Sequence, residues 1–404
     1  MPRGVQVRVL SPVPNILRNF LGIFVYGVFL AHMPDIITKS VTTSYGQRVV
    51  NSFGGMLGGV IIFLGSFALL YWNEGRVDLS KIAAKALEIP AVTSGTSGEG
   101  SLVSTTGPIT TTTQVGDPDF ILPGAYINLE RRVEIYAWVE TEKEETTTNS
   151  DGSETTTTTY TYKKDWTTTL EDSSNFAEPS GHTNPADFDY QPDTWTVPTL
   201  KIGELTVPTA DLNLPPSSPL TLTKDLLTPT GLRAQQGNYL FFGAGSASAP
   251  VVGDERLSYQ VVKPDFTGTI FGQRTGEQIT KFTDPDGNVL FRLFVGGRDA
   301  ALTLMHQEYV ITLWLLRALG LFLMWAGLAG ILKPFATIID RFPFLGSIAK
   351  AGVGIVALLI ALPLTIVTII VSMIIHSWLA IVVVLALFGG WLYWSKSQAG
   401  PVTP

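Results

Sequence analysis

The chain of 404 residues contains no cysteine. That excludes a disulfide framework, a thiolate zinc site and a thiol nucleophile. It has four histidines, His32, His182, His306 and His376, which are scattered along the sequence, so no metal site is expected. No glycine-rich phosphate cradle and no G-x-S-x-G elbow is present, and no cofactor is expected. Charge is scarce as well. Only 15% of residues are Asp, Glu, Lys or Arg, against about a quarter in ordinary soluble domains. The net charge of −7 is the wrong sign for neutralising phosphates, so nucleic acid is excluded as a partner.

What fills the space left by charge is apolar sequence in a few long runs. A bilayer core about 30 Å thick needs roughly 20 apolar residues of helix. Phe53–Trp72 has that length and no charged residue, and Val310–Leu332 carries one, Arg317. Ala351–Trp394 is uncharged and about two spans long. It reads as a hairpin of helices, 351–375 and 377–394, folding near His376 and Ser377. Tyr71, Trp72, Trp314, Trp378, Trp391 and Trp394 sit near the ends of these runs, where an amphipathic ring suits the headgroup level. The fold class expected is an integral membrane α-helical protein of four spans, with a large β-rich (α+β) domain inserted between spans one and two. The lipid bilayer is the first partner implied, and a homo-oligomer or other membrane proteins are further candidates.

Orientation follows from Lys and Arg in the short loops. Lys39 and Arg48 lie in a leader at 33–52, Lys333, Arg341 and Lys350 in the loop 333–350, and Lys396 in the tail 395–404. These place both termini and the 333–350 loop in the cytoplasm and the 73–308 domain outside it. Within that loop, Leu332, Phe335, Ile338, Ile339 and Phe342 share a helical face after Pro334, which predicts a separate helix in the membrane interface. The first 32 residues hold a short apolar run, Phe20–Ala31, behind Arg3, Arg8 and Arg18. It suits a signal-peptide core, an interfacial segment, or an extension preceding a true start at Met33.

Past the first span, Leu79, Ile82, Ala83, Ala86 and Leu87 recur at helical spacing and predict an amphipathic helix over 77–89. From about residue 100 the pattern turns to β. In 131–169, Val133, Ile135, Ala137 and Val139 alternate with Glu134, Tyr136, Trp138 and Glu140. Asp151-Gly152 then offers a turn before a Thr-rich second run. A long hairpin with an exposed tip is expected. A Pro-rich stretch at 178–230 shows few periodic segments, and strands are expected at 256–263, 267–272, 277–283 and 288–295. Asp284–Asn288 reads as a turn and not as a calcium loop, since it lacks the downstream Glu.

Candidate chemistry gathers on the hairpin. His182 with Glu140 and Tyr136 is a conceivable acid–base set for a headgroup or ester. The competing reading makes His182 and Asn184 fasteners of an irregular loop. Candidate binding residues are Glu74, Arg76, Arg132, Glu134, Trp138, Trp166, Asn184 and Arg317. Arg317 is expected to snorkel outward, or to pair with a phosphate or Glu308.

Several segments carry a resemblance to a known family. They include "NSFGGMLGGVIIFLGSFALLYWNEGR" at the first span, "LERRVEIYAWVETE" at 129–142, "YTYKKDW" at 160–166, "NFAEPSGHTNP" at 175–185, "VGDERLSYQVV" at 252–262, "GQRTGEQI" at 272–279 and "WLLRALGLFLMWAGL" at 314–328. In this order and spacing, from about Ser44 to Trp394, the chain resembles transmembrane protein 43 (LUMA) and its bacterial relatives. The resemblance implies four spans, cytoplasmic termini and a large luminal domain. The animal member resides in the endoplasmic reticulum and inner nuclear membrane and associates with emerin and lamins. A membrane-organising scaffold is what this implies, in the inner membrane if the chain is bacterial. The alternative is an enzyme or lipid-handling protein acting on lipid or lipoprotein at the extracytoplasmic surface.

Overall fold

The structure is a computed structural model, and it describes residues 6–9, 35–92, 97–339 and 346–377, with isolated positions beyond 377. The fourth expected span, 377–394, and most of residues 1–32 therefore lie outside the described residues. Three helices among the described residues are long and apolar enough to cross a membrane, in Tyr45–Ala83, Arg298–Ile339 and Gly352–Ile375.

In chain order, β1 (Gln6–Val9) and β2 (Asp35–Thr43) precede α1 (Tyr45–Glu74), then α2 (Leu79–Ala83), β3 (Leu87–Ile89) and β4 (Leu102–Thr110). Next come β5 (Val115–Asp117), β6 (Ile121–Gly124) and the long hairpin of β7 (Asn128–Thr148) and β8 (Glu154–Thr167). Three short strands follow, β9 (Asp193–Thr196), β10 (Thr199–Ile202) and β11 (Leu205–Pro208), then β12 (Ser218–Pro219) and α3 (Pro229–Ala234). The domain ends with β13 (Gln235–Gln236), β14 (Tyr239–Phe242), β15 (Glu255–Val262), β16 (Phe266–Thr275), β17 (Gln278–Thr280), β18 (Phe282–Thr283), β19 (Val289–Leu290) and β20 (Arg292–Val295). Helices α4 (Arg298–Ile339) and α5 (Gly346–Ile375) close the described chain.

These elements cluster into two compact units. The first comprises Met1–Val41, Leu79–Thr146 and Thr156–Met305 and holds the β structure. One sheet runs β1-β2-β8-β7-β15-β14-β13, with β9 on β7 and β12 on β15. In the other, β4 pairs with β10, β10 with β11, β11 in parallel with β17, β17 with β16, and β16 back with β4. That circuit of five strands leaves no free edge within it. Its apolar filling includes Val103, Ile109, Ile202, Leu205, Val207, Ile270 and Ile279, all buried. A second core, with Leu129, Val133, Leu240, Leu257, Tyr259 and Val261, lies against the hairpin sheet. The alternation along β7 explains it, since Val133 and Ile135 are buried while Arg132 is exposed and Glu134 is half-buried.

The second unit comprises Thr42–Asp78, Thr147–Thr155 and His306–Pro404. Helix α1 begins where Ser44 Oγ accepts the Gln47 amide, an N-cap at 3.4 Å. It ends at Gly75, whose amide reaches back to the carbonyls of Tyr71 and Trp72. The α1–α4 contact rests on small residues. A Cβ built on Gly59 would lie 2.8 Å from Gly327 O, and one on Gly330 would lie 3.0 Å from Gly59 Cα. Without side chains the backbones approach closely, as apolar solvent demands of helix pairs. Leu70, Met324 and Ala361 are buried between the three helices, and Trp325 Nε1 donates to Gly354 O at 2.8 Å. Their outward faces expose Leu57, Ile61, Leu64, Leu315, Phe322 and Leu359.

Several expectations need correction. The helix expected over 77–89 stops at Ala83, and Leu87–Ile89 becomes a strand paired in parallel with β4. Pro90 accounts for the extended end of that strand, because the residue before a proline, Ile89, is driven from helical to extended geometry. Up to Ile339 the helix expected after Leu332 is not a separate one, and Phe342 lies outside the described residues. Pro334 lies inside α4, which runs unbroken to Ile339, with Tyr45 Oη donating to Ile338 O at 3.4 Å. The hairpin tip is exposed at Asn149, Ser150 and Asp151 as expected, but Gly152 and Ser153 beside them are buried. The Pro-rich 178–230 stretch contributes four strands: β10 and β11 lie inside the second sheet, and β9 and β12 pair at the side of the first.

The 33–52 leader was expected as a segment apart from the β domain. Its residues 35–43 instead form β2, in the sheet beside β8. Lys39 Nζ donates to Ala177 O at 3.0 Å and lies 5.4 Å from the Tyr160 ring. A basic residue counted toward the cytoplasmic bias is thus spent on a tertiary contact.

The remaining strands match the periodicity. Strands 255–262, 266–275, 278–280 and 292–295 stand within two residues of most expected edges. Asp284–Asn288 is a turn between β18 and β19, with Asp284 Oδ1 accepting the amides of Asp286 and Asn288 and Gly287 at φ +86°.

Candidate functional site

The hairpin residues fall into two neighbouring clusters of the first unit. The first is built on His182, which is 4% exposed. Its Nδ1 meets Glu178 O at 2.9 Å, and since a carbonyl only accepts, that nitrogen donates. Its Nε2 lies 3.0 Å from Asp35 Oδ2, a residue of the leader strand. The ring stacks on Tyr162 at 3.9 Å between centroids and meets the Trp138 edge at 4.7 Å. Tyr162 Oη donates to Glu140 Oε2 and accepts the Glu178 amide. Glu140 Oε2 also accepts the Ala177 amide at 2.7 Å. Burial and the Glu140 carboxylate together push the Tyr162 phenol above its ordinary value, so it stays protonated and donates.

His182 and Glu140 therefore meet through Tyr162, as the sequence brought them to one neighbourhood. They do so in a packed interior, with both imidazole nitrogens engaged. Asn184 fastens the adjoining loop. Its Oδ1 accepts Trp138 N at 2.8 Å, and its Nδ2 donates to Trp138 O and Glu171 O. A cleft of about 700 Å³ beside this loop is lined by Thr168, Glu171, Ser173, Asn184 and Phe188, and neither His182 nor Glu140 opens into it.

The second cluster centres on Glu134 and Arg256. Arg256 Nε and Nη2 donate to the two Glu134 oxygens at 2.7 and 2.9 Å. The guanidinium lies between the rings of Trp166 and Tyr239, each 4.5 Å away. Trp166 in turn packs on Tyr136 at 5.4 Å. Tyr136 thus belongs with Arg256 and not with His182, so the three proposed acid–base residues do not form one set. Arg132 points away, paired with Glu130 at 2.9 Å on an exposed edge.

Glu74, Arg76 and Arg317 lie in the second unit. Arg317 neither snorkels free nor takes Glu308. Its Nε and Nη2 each donate to a Glu74 oxygen at 2.8 Å. The pair is buried, with side-chain exposures of 15% and 4%, and Trp314 covers the guanidinium at 4.8 Å. A bidentate pair of this kind satisfies the one charge inside the 310–332 run.

Sequence reading missed Asp35, Tyr162, Glu255 and a buried triad. Asp117 Oδ2 accepts Arg131 Nη1 at 2.8 Å and Tyr259 Oη at 2.7 Å. Asp117 and Tyr259 are 142 positions apart, and no local pattern announces the pair. Glu255 accepts the amides of Asp189 and Tyr190, at 2.6 and 3.1 Å. Among the described residues no group of His, Asp or Glu could hold a metal ion.

Comparison with known proteins accords with this architecture. The family described as Transmembrane protein 43 matches residues 135–378, more than half of the chain. The chain is 28% identical over 353 residues to Transmembrane protein 43 of Rattus norvegicus and equally to that of Homo sapiens, in each case covering 82% of this chain and 87% of the relative. It is 26% identical over 305 residues to the Transmembrane protein 43 homolog of Drosophila melanogaster, covering 72% of this chain and 80% of that one. No solved structure matches it. With apolar helices of spanning length, a large β-rich region and this match, the chain is a membrane protein belonging to the transmembrane protein 43 family.

Proposed function

We propose that the chain is a non-enzymatic membrane scaffold, whose helices and β domain arrange lipid and protein neighbours. The observation that carries it is where the charges go. Glu134 is held by Arg256, Glu74 by Arg317, and Glu140 by Tyr162 and the Ala177 amide. Groups spent on fixing the fold are not poised to move protons on a substrate. What faces outward on the helices is apolar and large, including Trp314, Leu315 and Phe322, the surface a lipid or a neighbouring helix takes.

The compartment is the finer part of the proposal. Lys333, Arg341 and Lys350 flank the connection between α4 and α5, and this basic bias puts the leader end of α1 on the cytoplasmic side. The Glu74 end lies with His376, whose ring is 4.5 Å from Tyr71. The chain then enters the β domain on the extracytoplasmic side, the inner membrane being the site if it is bacterial.

The test uses the full chain reconstituted in lipid nanodiscs. The scaffold reading expects co-purifying membrane partners or a defined oligomer, each unchanged by His182→Ala when the fold is kept. Turnover of a phospholipid or lipoprotein, abolished by His182→Ala, would replace this reading with the enzymatic one.

A further inference from the structure

We propose that Arg76 holds a phosphate of a membrane-lipid headgroup at the Glu74 end of α1. This rests on the chain being a membrane protein and not on the scaffold role.

Arg76 stands four residues beyond Trp72, where the apolar run of α1 has ended. Its guanidinium carbon is 5.8 Å from the Trp72 ring and 5.9 Å from the Tyr309 ring. Tyr309 Oη donates to Arg76 O at 3.4 Å, which fixes the backbone there. Arg76 Nη1 is buried and has no hydrogen-bond partner. A buried donor on a cation costs more unpaired than almost any neutral group.

The carboxylates nearest in sequence are already engaged. Both oxygens of Glu74 take Arg317. Asp78, with 3% side-chain exposure, lies 2.9 Å from His306 Nδ1. What the arrangement asks for is an acceptor from outside the chain, anionic and able to meet a planar fork of N–H donors. A phosphate oxygen does this. The level in the membrane selects the source. Trp72 and Trp314 are 58% and 62% exposed, and such rings settle where headgroups are. A lipid phosphate is present there at high local density, so the lipid is favoured over free phosphate.

The test compares the full-length chain with Arg76→Gln and Arg76→Lys in nanodiscs of phosphatidylcholine containing phosphatidylglycerol. Retained lipid is read by native mass spectrometry. Arg76→Gln should lower retained phosphatidylglycerol about tenfold, the effect of one charge-assisted hydrogen bond, while Arg76→Lys keeps part of it. Inorganic phosphate added to the wild type should not displace the lipid; displacement at millimolar phosphate would make the site one for free phosphate and overturn the lipid assignment. Unchanged retention in a folded Arg76→Gln variant would also overturn it. Should that variant fail to fold, the wild type decides. A phosphatidylglycerol analogue photoreactive at its headgroup should label 72–76 or 309–317, and adducts confined elsewhere would refute the proposal.

Discussion

Arg48, in the first turn of α1, grips the hairpin tip at Glu154, 106 residues further along the chain. Its Nη2 is 2.9 Å from Glu154 Oε1, and its Nη1 donates to Gly152 O. Tyr45 packs beside the same glycine, whose φ of +79° only the lack of a Cβ makes easy. A residue expected to mark the cytoplasmic face by its charge is thus 6% exposed in its side chain and used as a clamp.

A topological consequence follows, and the absence of cysteine makes it simple to test. Single-cysteine variants Gln47→Cys and Ser150→Cys decide between the clamp and the proposed side of the β domain. Reaction with a membrane-impermeant maleimide from opposite faces is expected if the β domain is extracytoplasmic; reaction of both from one face would keep the Arg48 clamp in the bilayer and overturn that assignment.

The Glu74–Arg317 pair should be costly to break and cheap to remove whole. Arg317→Leu leaves a buried carboxylate, and a loss of about 3–5 kcal/mol is expected. The double variant Glu74→Gln with Arg317→Leu should recover most of that loss. Thermal unfolding in detergent measures both. A single variant as stable as the wild type would show that the pair is not formed.

Helix packing should fail at Gly59. A side chain there meets the backbone of Gly327 at 2.8 Å, so the helices must separate. Gly59→Leu should destabilise the helical unit by about 1–3 kcal/mol, whereas Gly58→Leu, with nothing within 4 Å, should be tolerated. Equal stability of the two variants would contradict the observed contact.

His182 should prove a fastener. Removing its ring leaves Tyr162 without its stacking partner and Asp35 without its contact. His182→Ala should cost about 1–3 kcal/mol and expose the leader strand to proteolysis near Lys39. An unaltered cleavage pattern together with unaltered stability would remove that role.

The β domain should respond to pH through Glu255. Burial holds its carboxyl above the usual value of 4.5, although the amides of Asp189 and Tyr190 pull the other way. A carboxyl raised on folding favours the protonated native state. Its stabilising contribution is complete below the unfolded value and is lost as pH rises through the folded one. Glu255→Gln should flatten this part of the stability–pH curve. A curve that keeps its slope in the variant would assign the dependence elsewhere.

Legibility in the sequence followed the range of the interaction. The spans could be read because a bilayer imposes length and the exclusion of charge on contiguous residues. The β7–β8 hairpin could be read because its alternation and its Asp151-Gly152 turn are local. Tyr136, Trp138 and Glu140 were rightly placed on one strand, but which cluster each joined was not local information. Arg256 claimed the neighbourhood of Tyr136, and Tyr162 claimed Glu140.

The sequence by itself therefore determined the membrane class, the three described helices and most strand positions, since each depends on neighbours a few residues away. Only the tertiary structure decided the five-strand circuit, whose β11–β17 pairing joins Thr206 to Gln278 in parallel. It alone gave Arg317 to Glu74 and not to Glu308, and turned Lys39 and Arg48 from markers of a membrane face into contacts of the hairpin. The side-chain choices among them rest on residues 106 to 243 positions apart. At that distance a pattern of residue types says which groups need partners, and packing says which partners they get.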